Sequence, residues 1–97
     1  MSSNPELEIH HNIARQSFET IVEGRLAHAD YRREGQRIYF THTYVPPALE
    51  GRGIAGQIVR YALEHARQEG LQVVPLCSYV AGFIQRYPEY QPLLARD

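Results

Sequence analysis

The segment Gly51-Arg52-Gly53-Ile54-Ala55-Gly56 divides this 97-residue chain into two parts with different hydrophobic periods, and a fold for it must satisfy both. Before the segment, apolar and polar residues alternate, which is the period of half-buried strands. Leu7, Ile9 and His11 alternate with Glu8, His10 and Asn12, and Phe18, Thr20 and Val22 alternate with Glu19, Ile21 and Glu23. Gly24 marks a turn. Two more strands, about Arg25 to Arg33 and Arg37 to Val45, flank Glu34-Gly35-Gln36, where Gly35 can supply the positive φ of a tight hairpin. After the segment, Ile54, Ala55, Ile58, Val59, Ala62, Leu63 and Ala66 recur at helical spacing, with Gln57, Arg60, Glu64, Arg67 and Gln68 on the other face. Gly70 is a natural helix stop, Leu71 to Leu76 reads as a buried strand, and a short helix from about Tyr79 to Tyr87 precedes Pro88. The pattern predicts an α+β fold: a four-stranded antiparallel meander, a long helix, a fifth strand parallel to the fourth, and a short C-terminal helix. The strand-helix-strand step implies a right-handed crossover.

Composition narrows what such a fold can do. The length suits one domain spanning residues 1–97, with no repeat or linker inside it. A formal charge of −1, with its 10 basic residues spread along the chain, gives no general attraction for nucleic acid. All of those basic residues are arginine, which excludes a Schiff-base lysine, a Walker-type lysine and a lysine general base. No apolar run reaches membrane-span length, and the polar start Met1-Ser2-Ser3-Asn4-Pro5-Glu6 lacks a signal-peptide pattern, so a cytoplasmic location is the default expectation. Cys77 is the only cysteine, which removes intrachain disulfides and multi-cysteine zinc sites. His10 and His11 point to opposite faces of a strand and make poor co-ligands, so no metal site is expected.

The glycine segment follows a strand and opens the long helix, the arrangement that turns unpaired backbone N–H groups and the positive helix end toward an anion. A glycine-bearing loop that merely starts a helix has the same letters. The spacing also fits G-x-G-x-x-G, but Pro46-Pro47-Ala48-Leu49-Glu50 separate it from the preceding strand. The acidic residue that a dinucleotide site needs about 20 positions on is replaced by Pro75-Leu76-Cys77. Too few residues remain to build a doubly wound sheet.

The same features resemble the GNAT superfamily, whose coenzyme A motif is Gln/Arg-x-x-Gly-x-Gly/Ala after a central strand and a short loop. Glu50-Gly51-Arg52-Gly53-Ile54-Ala55 matches at Gly53 and Ala55, with Glu50 in the place of Gln or Arg. Together with His42-Thr43-Tyr44-Val45-Pro46-Pro47, Val74-Pro75-Leu76-Cys77 and Tyr87-Pro88-Glu89-Tyr90, it is similar to the small GNAT-like N-acetyltransferase domains of about 90 to 100 residues, over nearly the whole chain. The resemblance implies transfer of an acetyl group from acetyl-CoA to an amine acceptor by direct attack, or, alternatively, a non-catalytic module that holds acyl-CoA as sensor or carrier. It also implies that the backbone near Tyr44 and Val45 pairs with the pantetheine arm. The amides of Gly51, Arg52, Gly53, Ile54, Ala55 and Gly56 would take the pyrophosphate. Pro46, Pro47 and Pro75 fit a splay between the fourth and fifth strands, since none can donate a ladder hydrogen bond, although Pro75 by itself also fits a sheet edge. The oligomeric expectation is a monomer or weak homodimer.

Acetyl transfer needs a neutral amine, a polarised carbonyl and a proton donor for the departing thiolate. Cys77, at the end of the strand bordering the slot, is a candidate proton donor or transient acyl acceptor, and equally a small buried hydrophobe. His42 is a second catalytic candidate. If the hairpin loop is Glu34 to Gln36, His28 faces His42 and the two imidazoles can relay protons; a slip of one residue puts His28 opposite Thr43. The family's usual carboxylate is absent, because position 44 is tyrosine where small relatives commonly carry glutamate. Tyr79 and Tyr87 are possible acids, with packing the plainer role for both, Tyr87 closing the C-terminal end with Tyr90 and Leu93. Glu50 either caps the helix start or repels phosphate. About four residues separate the first two strands where full-length members place two helices, which leaves the acceptor side open.

Overall fold

Alternation in the first half becomes an antiparallel meander because each turn carries a residue suited to it. The computed structural model describes residues 7–96, so the reading of Met1 to Glu6 lies outside the described residues. Strands β1 (His10–Asn12), β2 (Ser17–Val22), β3 (Arg25–Glu34) and β4 (Arg37–Tyr44) are followed by a 3-10 turn at Pro47–Leu49, helix α1 (Ile54–Gln68), strand β5 (Gln72–Pro75) and helix α2 (Ser78–Arg86). A second 3-10 stretch, Pro88–Leu93, ends the series. The sheet order is β1-β2-β3-β4-β5, with β5 parallel to β4 and the other neighbours antiparallel. Between β2 and β3 the two turn residues Glu23 and Gly24 both take positive φ, 53° and 74°, the geometry that matches strand twist in a two-residue hairpin. The expected first strand is shorter than its alternation suggests: pairing begins at His10, while Leu7 and Ile9 pack against the core from outside the ladder.

The β3–β4 hairpin corrects the expected register. Glu34 pairs with Arg37, so the loop is Gly35-Gln36 rather than three residues, and the opposite-charge pair extends the ladder by one rung. Further along, Tyr31 pairs with Phe40 and Asp30 with His42, which leaves Thr41 as an extra residue on β4. His28 therefore faces Tyr44, neither His42 nor Thr43. This bulge has a second effect. Strict alternation from the buried Ile38 and Phe40 would carry His42 and Tyr44 to the core face, whereas the bulge puts them beside Asp30 and His28 on the opposite face.

Helix α1 lays its expected apolar stripe over β2, β3 and β4: Ile54, Ile58, Val59, Ala62, Leu63 and Ala66 are buried against Phe18, Ala27, Ala29, Ile38 and Phe40. Ala55 is the exception and is only half-buried. The helix ends as Gly70 predicts. Its φ of 69° lets the Gly70 amide reach the Arg67 carbonyl (3.2 Å) and the Leu71 amide reach that of Ala66 (2.9 Å), a Schellman closure.

Short β1 is held chiefly through His11, whose ring stacks on Phe18 at 4.2 Å, meets His65 edge-on at 4.6 Å and hydrogen-bonds the Tyr31 hydroxyl through Nε2 at 2.6 Å. Burial, reinforced by His65 and opposed by Glu69, lowers the His11 pKa below 6.5. The unfolded chain thus binds a proton in a window just below 6.5 that the folded chain refuses, and stability falls as pH drops through that window. Melting temperature should decline by a few degrees between pH 7 and pH 5, and a His11→Gln variant should show a flatter profile. An unchanged slope in the variant would place the pH dependence elsewhere.

Candidate functional site

The β4–β5 ladder runs from Arg37–Gln72 to Phe40–Pro75 and then stops. Pro75 has no N–H to continue it, and the Cys77 amide closes the end by donating to the Phe40 carbonyl at 2.9 Å. Beyond this point the two segments diverge: β4 continues to Tyr44, while the other chain turns into α2 at Ser78. Pro46 and Pro47 end β4, and the 3-10 turn drives Leu49 fully into the core, which fixes where the glycine segment begins.

Three recesses follow this divergence in sequence. The first is lined by Thr43, Tyr44, Val45, Pro47, Glu50, Ala55 and Tyr79. The second, beside it, adds Leu49, Gly51, Gly53, Ile54 and Gly56. The third is a groove of about 590 Å³ between α1 and α2, in which Gly53, Gly56, Gln57 and Arg60 face Ser78, Tyr79, Gly82, Phe83, Arg86 and Tyr87. That volume lies within the range of small-molecule sites. Val45, Glu50, Ala55 and Tyr79 join the first to the second, and Gly53, Gly56 and Tyr79 join the second to the third.

The mouth of α1 opens where the recesses meet. Gly53 is its N-cap, with φ 76° and ψ 16°, and no side chain hydrogen-bonds the cap. The first helical bond runs from the Gln57 amide to the Gly53 carbonyl, so the amides of the preceding turn have no intrahelical acceptor. Such a mouth suits an anion. Gly56 faces α2 there: a Cβ on it would make ordinary contact with the Tyr79 hydroxyl at 3.5 Å and with Phe83 at 3.8 Å.

The predicted site residues are distributed around this cleft as follows. Tyr44, Val45, Gly51, Gly53, Ile54, Ala55 and Gly56 border it together, whereas Arg52 is not among the lining residues and its guanidinium turns away to Glu23 in the β2–β3 turn at 2.7 Å. Glu50 is not the cap of α1; it follows the 3-10 turn in extended backbone, its amide bonded to Pro47, and its exposed side chain belongs to the cleft rim. Cys77 Sγ lies 3.4 Å from Thr43 Oγ1, across the point of divergence. Burial pushes the Cys77 thiol up, but the Thr43 hydroxyl and the backbone of Val80, Tyr79 and Thr43 outweigh it and leave the thiol below its usual value. Tyr79 goes the other way, since burial and the neighbouring Tyr87 hold its phenol protonated. His42 stands across the sheet from Cys77, on the face that α1 leaves open, its ring centroid 6.3 Å from that of His28.

Sequence reasoning passed over Arg60 and Arg86, the two cations of the α1–α2 groove. A signal was present, because Arg60 lies one turn beyond Gly56. Its guanidinium rests over the rings of Phe83 (5.4 Å), Tyr87 (4.8 Å) and Tyr90 (5.7 Å), which gives Tyr87 and Tyr90 a packing role.

A strand divergence leading to an uncapped helix mouth is the arrangement expected from the resemblance, and comparison with known proteins agrees. The family model for GCN5-related N-acetyl-transferase matches residues 17–93. The chain belongs to the GCN5-related N-acetyltransferase family. Relatives of this acetyltransferase domain include Protein NATD1 of Bos taurus, 32% identical over 84% of this chain and 75% of that protein. Protein NATD1 of Homo sapiens is 31% identical over the same shares. The NMR solution structure of a GCN5-like protein from Staphylococcus aureus superposes with a TM-score of 0.73 at 27% identity, covering 97% of this chain and 91% of that one. Within this family the domain is of the small type, with four residues between β1 and β2. No helix among the described residues is long and apolar enough to cross a membrane.

Proposed function

We propose that this domain is an N-acetyltransferase that moves the acetyl group of acetyl-CoA to an amine by direct attack. The observation that carries the reading is the uncapped mouth of α1 at the end of the β4–α2 cleft. The amides of Gly51 to Gly56 hold the pyrophosphate there, while Arg60 and Arg86 face the nucleotide end in the adjoining groove. The pantetheine arm lies along Tyr44 and Val45, which brings the thioester to the region of Thr43 and Cys77. Cys77, its thiol already below the usual value, is the proton donor to the departing thiolate. His42 lies on the route by which an amine arrives from the open face of the sheet.

Binding and turnover test the reading separately. Ligand at 100 times its dissociation constant stabilises a fold by about 2.7 kcal/mol, which in a domain of this size raises the melting temperature by roughly 10 °C or more. Acetyl-CoA at millimolar concentration should produce that rise, and no rise would sink the proposal. Thiol release accelerated by a primary amine identifies an enzyme, and thiol release that no amine accelerates identifies an acyl-CoA-holding module. Cys77→Ser should reduce amine-dependent release by roughly 10²-fold. The parent should also lose activity as alkali deprotonates the thiol, and the variant should lack that limb. Full activity in Cys77→Ser would clear the thiol of any chemical role.

A further inference from the structure

The face of the sheet turned away from the helices carries a second assembly of titratable groups. His28 Nδ1 and Asp30 Oδ1 are 2.8 Å apart, with side chains 24% and 34% exposed. The same Asp30 oxygen accepts a hydrogen bond from the Ser17 hydroxyl at 3.0 Å, across the β2–β3 ladder. An ionised carboxylate can only accept, so Nδ1 is the donor of this bond, and in the neutral imidazole Nε2 then carries the lone pair.

The groups around this imidazole come from every neighbouring strand. On β4, Tyr44 is directly opposite, its ring 5.6 Å away, and His42 is diagonal at 6.3 Å. On β2, Glu19 is directly opposite, but Asn12 (3.3 Å) and Arg15 (3.9 Å) already engage its carboxylate, and His10 of β1 pairs with Glu19 beyond. On β3 itself, Asp30 and then Arg32 follow on the same face. Tyr44 also lines the cleft. Tyr44 therefore touches both the cleft and the His28 ring.

We infer that the His28–Asp30 pair, positioned by Ser17, is the proton acceptor for the incoming amine. The inference rests on the acetyltransferase reading above. His28 Nε2 takes one proton from the ammonium. The freed lone pair attacks the thioester carbonyl, a C–N bond forms and the C–S bond breaks. The thiolate leaves with a proton from Cys77, which is restored by the second proton shed from nitrogen. The first proton passes from His28 to solvent, so the sum is ammonium plus acetyl-CoA giving amide, free thiol and one proton. Asp30 is a positioning residue in this scheme: it fixes the tautomer of His28.

The test is kcat/KM from pH 6 to 10 for the parent, His28→Gln and Asp30→Asn, with acetyl-CoA and three amines: butylamine, spermidine and a lysine-bearing peptide. His28→Gln should lower kcat/KM by about 10²-fold and abolish the acidic limb that reports the base. Asp30→Asn should lower it roughly ten- to a hundredfold and alter that limb, because the tautomer is no longer held. Both variants should keep the parent's melting rise with acetyl-CoA, which shows an intact fold and coenzyme site. Parent-like kcat/KM and limb in either variant overturns the inference alone. Absence of amine-dependent thiol release in the parent overturns it together with the acetyltransferase reading.

Discussion

Truncation of Tyr90 to alanine should cost about 3–5 kcal/mol, the range for removing a large ring from a packed interior, and lower the melting temperature by more than about 10 °C. Tyr90 is 1% exposed and the largest of the fully buried side chains, although it lies in a 3-10 stretch near the C-terminus. Its ring closes the core behind α2 at 6.1 Å from Phe83, and its hydroxyl donates to Glu64 Oε2 at 2.8 Å while accepting from Arg60 at 3.1 Å. Tyr90→Phe separates the two contributions. Glu64 and Arg60 are both partly exposed and can return to water, so losing the hydroxyl should cost only about 1 kcal/mol. A functional effect follows from packing, because Arg60 rests against the Tyr90 ring and forms one side of the α1–α2 groove. The alanine variant should therefore also show a smaller melting rise with acetyl-CoA. Equal losses in the two variants would show that the hydroxyl, not the ring, matters.

What could be read from the letters and what could not differ in physical kind. The α1 stripe, the Gly70 stop and the end of pairing at Pro75 are local: helical periodicity, a positive φ and a missing N–H act within a few residues. The register of β3 on β4 depends on two events that alternation does not encode. Glu34 and Arg37 gain a rung by pairing, and Thr41 is left over where the strand bulges. Counting from a three-residue loop places His28 opposite His42, and the fold instead sets it opposite Tyr44. The two imidazoles still meet on one face, but as diagonal neighbours.

The glycine segment shows the same division. Its place at a helix start is legible, because unpaired amides follow from helix geometry alone. Which side chains surround it depends on tertiary approach. Arg52, inside the segment, is drawn off by Glu23 from a turn 29 residues earlier, while Arg60 and Arg86 reach the groove from helices whose contact no local pattern reports. Asp30 is the clearest omission. A lone aspartate in a strand of alternating residues reads as solvated, yet cross-strand Ser17 and same-face His28 make it the centre of a hydrogen-bonded group.

Gly53 provides the most direct challenge to the proposed coenzyme site, because its backbone is left-handed and it borders both the cleft and the groove. At φ 76° and ψ 16° it occupies the left-handed region, which a β-branched residue enters only under strain. Gly53→Val should cost about 2–3 kcal/mol, and Gly53→Asn less than about 1 kcal/mol, because asparagine tolerates that region. Both substitutions put side-chain atoms where Gly53 now borders the cleft and the α1–α2 groove. Two measurements then diverge. In thermal melting without ligand, the asparagine variant should resemble the parent and the valine variant should melt more than about 10 °C lower. With acetyl-CoA, both should lose most of the parent's stabilisation, an affinity loss of at least about tenfold, or roughly 1.4 kcal/mol. An asparagine variant that keeps the full melting rise would mean that the mouth of α1 does not contact the coenzyme, and the site would have to be sought elsewhere along the groove.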